Sequence, residues 1–187
     1  MSSDTNLYEG ALAELGTVFA RIDDAKVDAL IDAIADARTT VVFGGGRERL
    51  QIMGFAMRLY HMGVPVAVEG DMTTPPVGPG DLFLLTVGPG ELSTALALIG
   101  VARNAGAKVA VITAQPEGRA PKLADLVLHL PAQTMADDQG SARTSVLPMG
   151  SLYEGALFIL FEAMILRLKA KLQVSAEAMR ARHTNLE

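Results

Sequence analysis

The sequence predicts an α/β fold in which a parallel sheet is covered by helices on both faces and preceded by a helical hairpin. From Thr39 onward, short β-branched runs alternate with amphipathic stretches, two glycine-rich turns each follow a strand and open a helix, and a long apolar helix comes last. The hairpin is read from Leu7 to Ile22 and Val27 to Ala37. Apolar residues there stand at helical spacing (Leu12, Leu15, Val18, Phe19, Ile22; then Val27, Leu30, Ile31, Ile34), and Asp23-Asp24 marks a stop and restart. Five strands follow, at Val41 to Phe43, Val64 to Val68, Asp81 to Thr86, Lys108 to Thr113 and Leu126 to Leu130. Helical patterns near 48–62, 91–105 and 119–124 separate them. A helix from Ser151 to about Leu172 and a short one from Ser175 to His183 complete the pattern. Pro75 to Gly80 is rich in proline and glycine but reads as a turn, so the 187 residues are expected to form one domain: hairpin 1–38, α/β core 39–130, loop and C-terminal helices 131–187.

Composition narrows the functional classes. Half of the chain is hydrophobic and 20% is charged, which excludes a disordered chain and supplies a substantial core. Sixteen basic against 21 acidic side chains give a net charge of −5 with no Lys/Arg cluster, which argues against a nucleic-acid partner. The absence of cysteine rules out disulfides, thiolate metal sites and a cysteine nucleophile, and it fits a reducing cytoplasm. No secretory pattern stands at Met1 to Asp4. The most apolar window, Leu152 to Leu168, is interrupted by Glu154, Glu162 and Arg167 and is shorter than a bilayer span, so it reads as a buried helix. Three isolated histidines, His61, His129 and His183, lack the spacing of a metal site, and no metal is expected.

The glycine-rich turns are Gly44-Gly45-Gly46-Arg47 and Gly88-Pro89-Gly90-Glu91. Strand ends and helix starts converge there, which favours a phosphate or carboxylate ligand; glycine also simply permits tight turns. A dinucleotide reading finds Gly44-x-Gly46 and, one strand later, Glu69 in the place of a ribose-binding acid. Arg49 stands where the third glycine of that fingerprint belongs, opposing close helix packing, and Glu69 reads as an ordinary strand-end acid.

Seven segments carry a resemblance to a known family: Val41 to Arg47 (VVFGGGR), Phe55 to Gly63 (FAMRLYHMG), Thr73-Thr74-Pro75, Gly80-Asp81-Leu82, Gly88 to Glu91, Pro148 to Glu154 (PMGSLYE) and Arg180 to Glu187 (RARHTNLE). Nearly end to end, the chain resembles the sugar-isomerase (SIS) domains, and among them the 6-phospho-3-hexuloisomerases. The resemblance implies a three-layer sandwich with a five-stranded parallel sheet of flavodoxin-like order. It further implies a tetramer with sites at subunit interfaces. The implied activity converts a 3-ketohexose 6-phosphate into fructose 6-phosphate without metal or organic cofactor.

Such a reaction moves a carbonyl to the neighbouring carbon through an enediol, which calls for a base and for an acid serving the oxygens. Glu154, in the first turn of the long helix and matching the family's glutamate, is the expected base; Ser151-x-x-Glu154 also reads as a capping box, in which the carboxylate would only cap the helix. His183 is the candidate acid, contributed within the chain or to a neighbouring subunit, or else a terminal-helix residue binding carbonyls. His61 competes with it, with a structural or interface role as the other reading, and His129 reads as structural. Substrate binding is expected from Gly45, Gly46, Arg47, Glu48, Thr86, Gly88, Gly90, Glu91, Ser93 and Thr94. Two turns depart from the family. Its Ser-Gly-Ser-Gly-Glu-Thr is Val87 to Leu92 here, with no hydroxyls and with Pro89 lacking an N–H, and its Gly-Arg-Ser is Gly46-Arg47-Glu48, with Arg47 or Arg49 expected to neutralise the added carboxylate. A sugar-binding regulatory module without turnover is the alternative function. The apolar hairpin and long helix point to a homo-oligomer.

Overall fold

The computed structural model describes residues 6–186; the Met1 to Asp4 reading lies outside them. Helix α1 (Leu7–Phe19) is capped by Asn6, and α2 (Asp24–Asp36) by Asp23, whose side chain accepts from the N–H groups of Ala25 and Lys26 at 3.0 and 3.4 Å. The Asp23-Asp24 break is thus a cap followed by a first-turn acid. Strand β1 (Thr40–Gly44) leads into α3 (Gly46–Met62), which ends at Gly63 in the left-handed region. Strands β2 (Val66–Val68) and β3 (Leu82–Thr86), α4 (Ser93–Asn104), β4 (Lys108–Thr113), α5 (Arg119–Lys122) and β5 (Leu126–His129) follow. A 3-10 turn at Gly140–Ala142, the long α6 (Ser151–Lys171) and α7 (Ala176–Ala181) come last.

All five strands are parallel, in the order β2-β1-β3-β4-β5. This is the doubly wound order in which connections diverge to opposite sides between β1 and β3, and ligands bind outside the carboxyl ends of those two strands. Alternate residues feed two cores. Val42, Leu84, Ala110 and Ile112 face the layer of α2, α3 and α6, while Val41, Phe43, Phe83, Leu85, Val109 and Val111 face α4 and α5. β1 and β3 are buried throughout, which is why they read as continuous apolar runs.

Helix α6 is the hub of the larger core, since α1, α2 and α3 all pack on it. Leu152, Tyr153, Ala156, Leu157, Leu160, Phe161, Met164, Ile165 and Leu168 are buried along its length. The ring of Phe161 stacks on Phe55 of α3, with centroids 4.5 Å apart. At the opposite end of the sheet, the buried Asp81 holds Arg38 through two hydrogen bonds of 2.9 and 2.5 Å and accepts from the N–H of Gly78. These bonds hold its carboxyl below the usual range. No described helix is long and apolar enough to cross a membrane.

Candidate active site

A cavity of about 600 Å³ opens at the carboxyl ends of β1 and β3. Its walls come from the start of α3, the β3 turn, the loop before α6 and the first turn of α6. A larger hollow of about 840 Å³ lies at the sheet edge beside β2, lined by Met53, Met57, Tyr60 and Arg182 among others. The smaller cavity is the chemical one, because the fold's switch point, an arginine and two carboxylates meet there.

Glu154 lies on one wall, its side chain 16% exposed, with a carboxylate oxygen 3.0 Å from the Arg47 guanidinium. Burial pushes its carboxyl above the usual range, and Arg47 draws it partly back. The capping box, the alternative reading of Ser151-x-x-Glu154, is not formed. The N-cap of α6 is Gly150, in the left-handed region at φ 77°, so Ser151 is already inside the helix. Ser151 Oγ instead accepts from Arg47 at 3.1 Å, and the same guanidinium donates to the carbonyl of Met149. Ser151 and Glu154 therefore grip one arginine, which leaves the carboxylate turned toward the cavity rather than toward the helix's own N–H groups.

Glu48 is the second carboxylate, and neither Arg47 nor Arg49 neutralises it. Arg47 is taken by Glu154, and Arg49 binds the Glu69 carboxylate at 3.5 Å and the Glu69 carbonyl at 2.7 Å. Glu48 instead accepts the hydroxyl of Thr86 at 2.7 Å and the N–H of Gly88 at 3.1 Å to each oxygen. Thr86 Oγ1 lies 3.1 Å from the hydroxyl of Tyr153, which in turn donates to the carbonyl of Ile112 at 3.1 Å. Burial lifts Glu48 above the usual carboxylate range against the pull of these hydrogen bonds, and the charge of Glu154 pushes it the same way. Burial also drives the Tyr153 phenol well above its ordinary value, so it stays protonated.

The shift of Glu48 carries a stability prediction. A carboxyl raised on folding contributes stability that is complete below its unfolded pKa and is lost as pH rises through the folded value. Denaturant melts between about pH 4 and pH 8 should therefore show Glu48→Gln gaining on the wild type as pH rises. A pH-independent difference between the two would contradict this.

Gly45, Gly46, Arg47, Glu48, Thr86 and Thr94 line the cavity together with Glu154. Gly88 takes part through its N–H, while Gly90 serves the turn, donating to the carbonyl of Val87. Glu91 is not in the cavity; it pairs outside with Arg119 at 2.8 Å. Ser93 is exposed in the first turn of α4 and is absent from the lining. The histidines are elsewhere too. His61, buried in the last turn of α3, lies with its ring centroid 5.1 Å from that of His183, and both are apart from the residues that line the cavity. His129 is exposed at the end of β5.

Sequence reasoning missed Tyr153, Thr134, Met135 and Met149, all in the lining. A tyrosine on the apolar face of the helix was a usable signal, because a buried phenol needs a partner. Nothing local marks the other three, which a loop brings in from beyond β5.

Residues 33–158 match the SIS domain model. The chain belongs to the SIS domain family. Over 176 residues this SIS protein is 36% identical to the 3-hexulose-6-phosphate isomerase of Bacillus subtilis, covering 94% of this chain and 95% of that one. Its identity to the Mycobacterium gastri protein of the same name is 37% over 174 residues, covering 93% and 86%. Among solved structures, a hypothetical protein from Methanococcus jannaschii, whose structure was reported as inferring a 3-hexulose-6-phosphate isomerase function, superposes with a TM-score of 0.84 at 27% identity and covers 96% of this chain. The five-stranded parallel sheet between helices is the architecture of these SIS neighbours.

Proposed function

We propose that this SIS protein is a sugar-phosphate isomerase of the 6-phospho-3-hexuloisomerase type, with Glu154 as its base. The observation that carries the reading is the Glu154 carboxylate, raised by burial and turned by Arg47 into a cavity at the ends of β1 and β3. For a 3-ketose, Glu154 takes the proton on C2, the C3 carbonyl oxygen gains a proton, and an enediol forms across C2 and C3. C3 then receives a proton from the acid form of Glu154, while the C2 hydroxyl becomes the carbonyl by returning a proton to the acid that protonated the C3 oxygen. Arg47 stands beside the base, where it can steady the oxygens as charge develops. A coupled assay of 3-hexulose 6-phosphate conversion to fructose 6-phosphate tests the reading; a folded protein that turns over no ketose sinks it. Loss of turnover with retained binding is the second reading, favoured only by the unusual occupant of the β3 turn, and the same assay decides it.

The functional unit in this proposal is an oligomer, a tetramer by family resemblance. Support comes from α3, whose Leu50, Met53, Met57 and Tyr60 stand exposed in a stripe, and from Phe158 and Leu166 exposed on α6. Burying such faces against another subunit would give His183 or His61 a route to a neighbour's site, which one chain does not provide. Light scattering across a dilution series should give a mass several times that of one chain, and mixing inactive Glu154→Gln with His183→Ala subunits should restore part of the activity. A monomeric mass with full activity removes the shared-site proposal. A chain free of cysteine supports a cytoplasmic location.

A further inference from the structure

At the carboxyl end of β3, a backbone donor (Gly88 N–H) and a hydroxyl donor (Thr86) converge beside the start of α3. Such convergence at a switch point is an anion seat. In this chain the seat is already filled from within, since both donors are spent on the Glu48 carboxylate at 2.7 to 3.1 Å. Within the turn two further donors are engaged and one is missing. Pro89 has no N–H, and the N–H groups of Val87 and Gly90 are bonded to the carbonyls of Ile112 and Val87. The seating is closely built. A Cβ at position 88 would lie 2.8 Å from Glu48 Oε1 and 2.9 Å from the ring of Tyr153, so glycine there keeps room for the carboxylate. Charge points the same way: among the described residues, the cavity lining sets the two carboxylates of Glu48 and Glu154 against the one guanidinium of Arg47.

We propose that Glu48 is a specificity-determining residue whose carboxylate fills the anion seat of the β3 turn, so that the end of the sugar bound there is an uncharged, hydroxyl-bearing carbon that donates to Glu48. A carboxylate has about four acceptor positions and Glu48 uses three, which leaves room for one sugar hydroxyl. A phosphate at the same place would face a like charge in a partly desolvated wall, where repulsion is several times stronger than in water. The inference rests on the isomerase reading and deepens it, since Glu48 then sets the preference of this turn for a hydroxyl over a phosphate.

Two measurements test it at pH 8 on the full chain. Calorimetric titration with inorganic phosphate should show binding to Glu48→Ser and Glu48→Gln at least about tenfold tighter than to the wild type, as expected when a like charge is removed beside a dianion. In parallel, kcat/KM for 3-hexulose 6-phosphate relative to free 3-hexulose should rise at least about tenfold in Glu48→Ser, since serine vacates the seat. Wild-type protein binding phosphate as tightly as both variants, or an unchanged ratio, overturns the inference. If Glu48→Ser does not fold, the near-isosteric Glu48→Gln decides by the titration alone. Wild-type protein that turns over neither sugar would overturn the isomerase reading instead, and the phosphate titration would still settle the role of Glu48.

Discussion

Glu154→Gln is expected to lower kcat by about 10²- to 10⁴-fold with little change in KM, the range typical of losing a positioned general base. The substitution keeps the shape of the side chain and lets the amide oxygen accept from Arg47, so the loss isolates proton transfer from geometry. In the wild type, the acidic limb of the activity profile should lie above the ordinary carboxylate range. Only the ionised form accepts a proton, and burial has raised its pKa. Removing Arg47 takes away the group that pulls this pKa down, so Arg47→Met should move the limb further up. Retention of wild-type kcat by Glu154→Gln would show that the carboxylate is structural and that the base lies elsewhere.

The largest stability loss is expected from Phe55→Ala. Phe55 is 2% exposed and stacks on Phe161 at a 13° interplanar angle, where α3 meets α6. Truncating a buried phenylalanine costs about 3–5 kcal/mol in lost transfer energy and residual cavity. That is a large part of the 5–15 kcal/mol that holds an ordinary domain together. The midpoint of thermal unfolding should fall by roughly 6–20 °C, given about 2–4 °C per kcal/mol at this size. A fall of only a degree or two would mean that the neighbouring side chains close the space. Phe55→Leu, which keeps most of the volume, should lose far less.

The strands and helices were legible because each announces itself locally. Buried parallel strands such as Val41 to Phe43 are apolar on both faces, and the Asp23 and Ser175 caps lie at the helix starts they serve. Boundaries moved where a strand's lead-in is extended without being paired: Val64 and Pro65 precede β2, although the Pro65 carbonyl already accepts from Thr40. The site was legible only in part. Gly45 to Glu48 and Thr86 sit at strand ends, and strand ends are local facts. The choice of Arg47's partners was not local, because Met149, Ser151 and Glu154 lie about a hundred residues away. Glu48 likewise stands 38 and 40 residues from the Thr86 and Gly88 that it holds, beyond the reach of a local pattern. A motif such as Ser151-x-x-Glu154 carries two meanings with one spelling, and the left-handed Gly150 is what removes the capping one.

Helix α6 carries Tyr153 and Glu154 at its start and, further along, supplies the buried face on which α1, α2 and α3 rest. Local opening of a segment costs in proportion to the packed surface that must be released with it, so segments at the centre of a core open only with the whole molecule. The helix bearing the proposed base is therefore expected to share most of the unfolding free energy along its buried length, which slow exchange of its central backbone amides would show. The softer part of the lining, the loop before α6 and the exposed first turn of α4, has less buried surface to release. On the proposed reading, ligand traffic through the cavity is expected to depend on that softer lining yielding, while the Glu154 carboxylate stays fixed in the frame of the core.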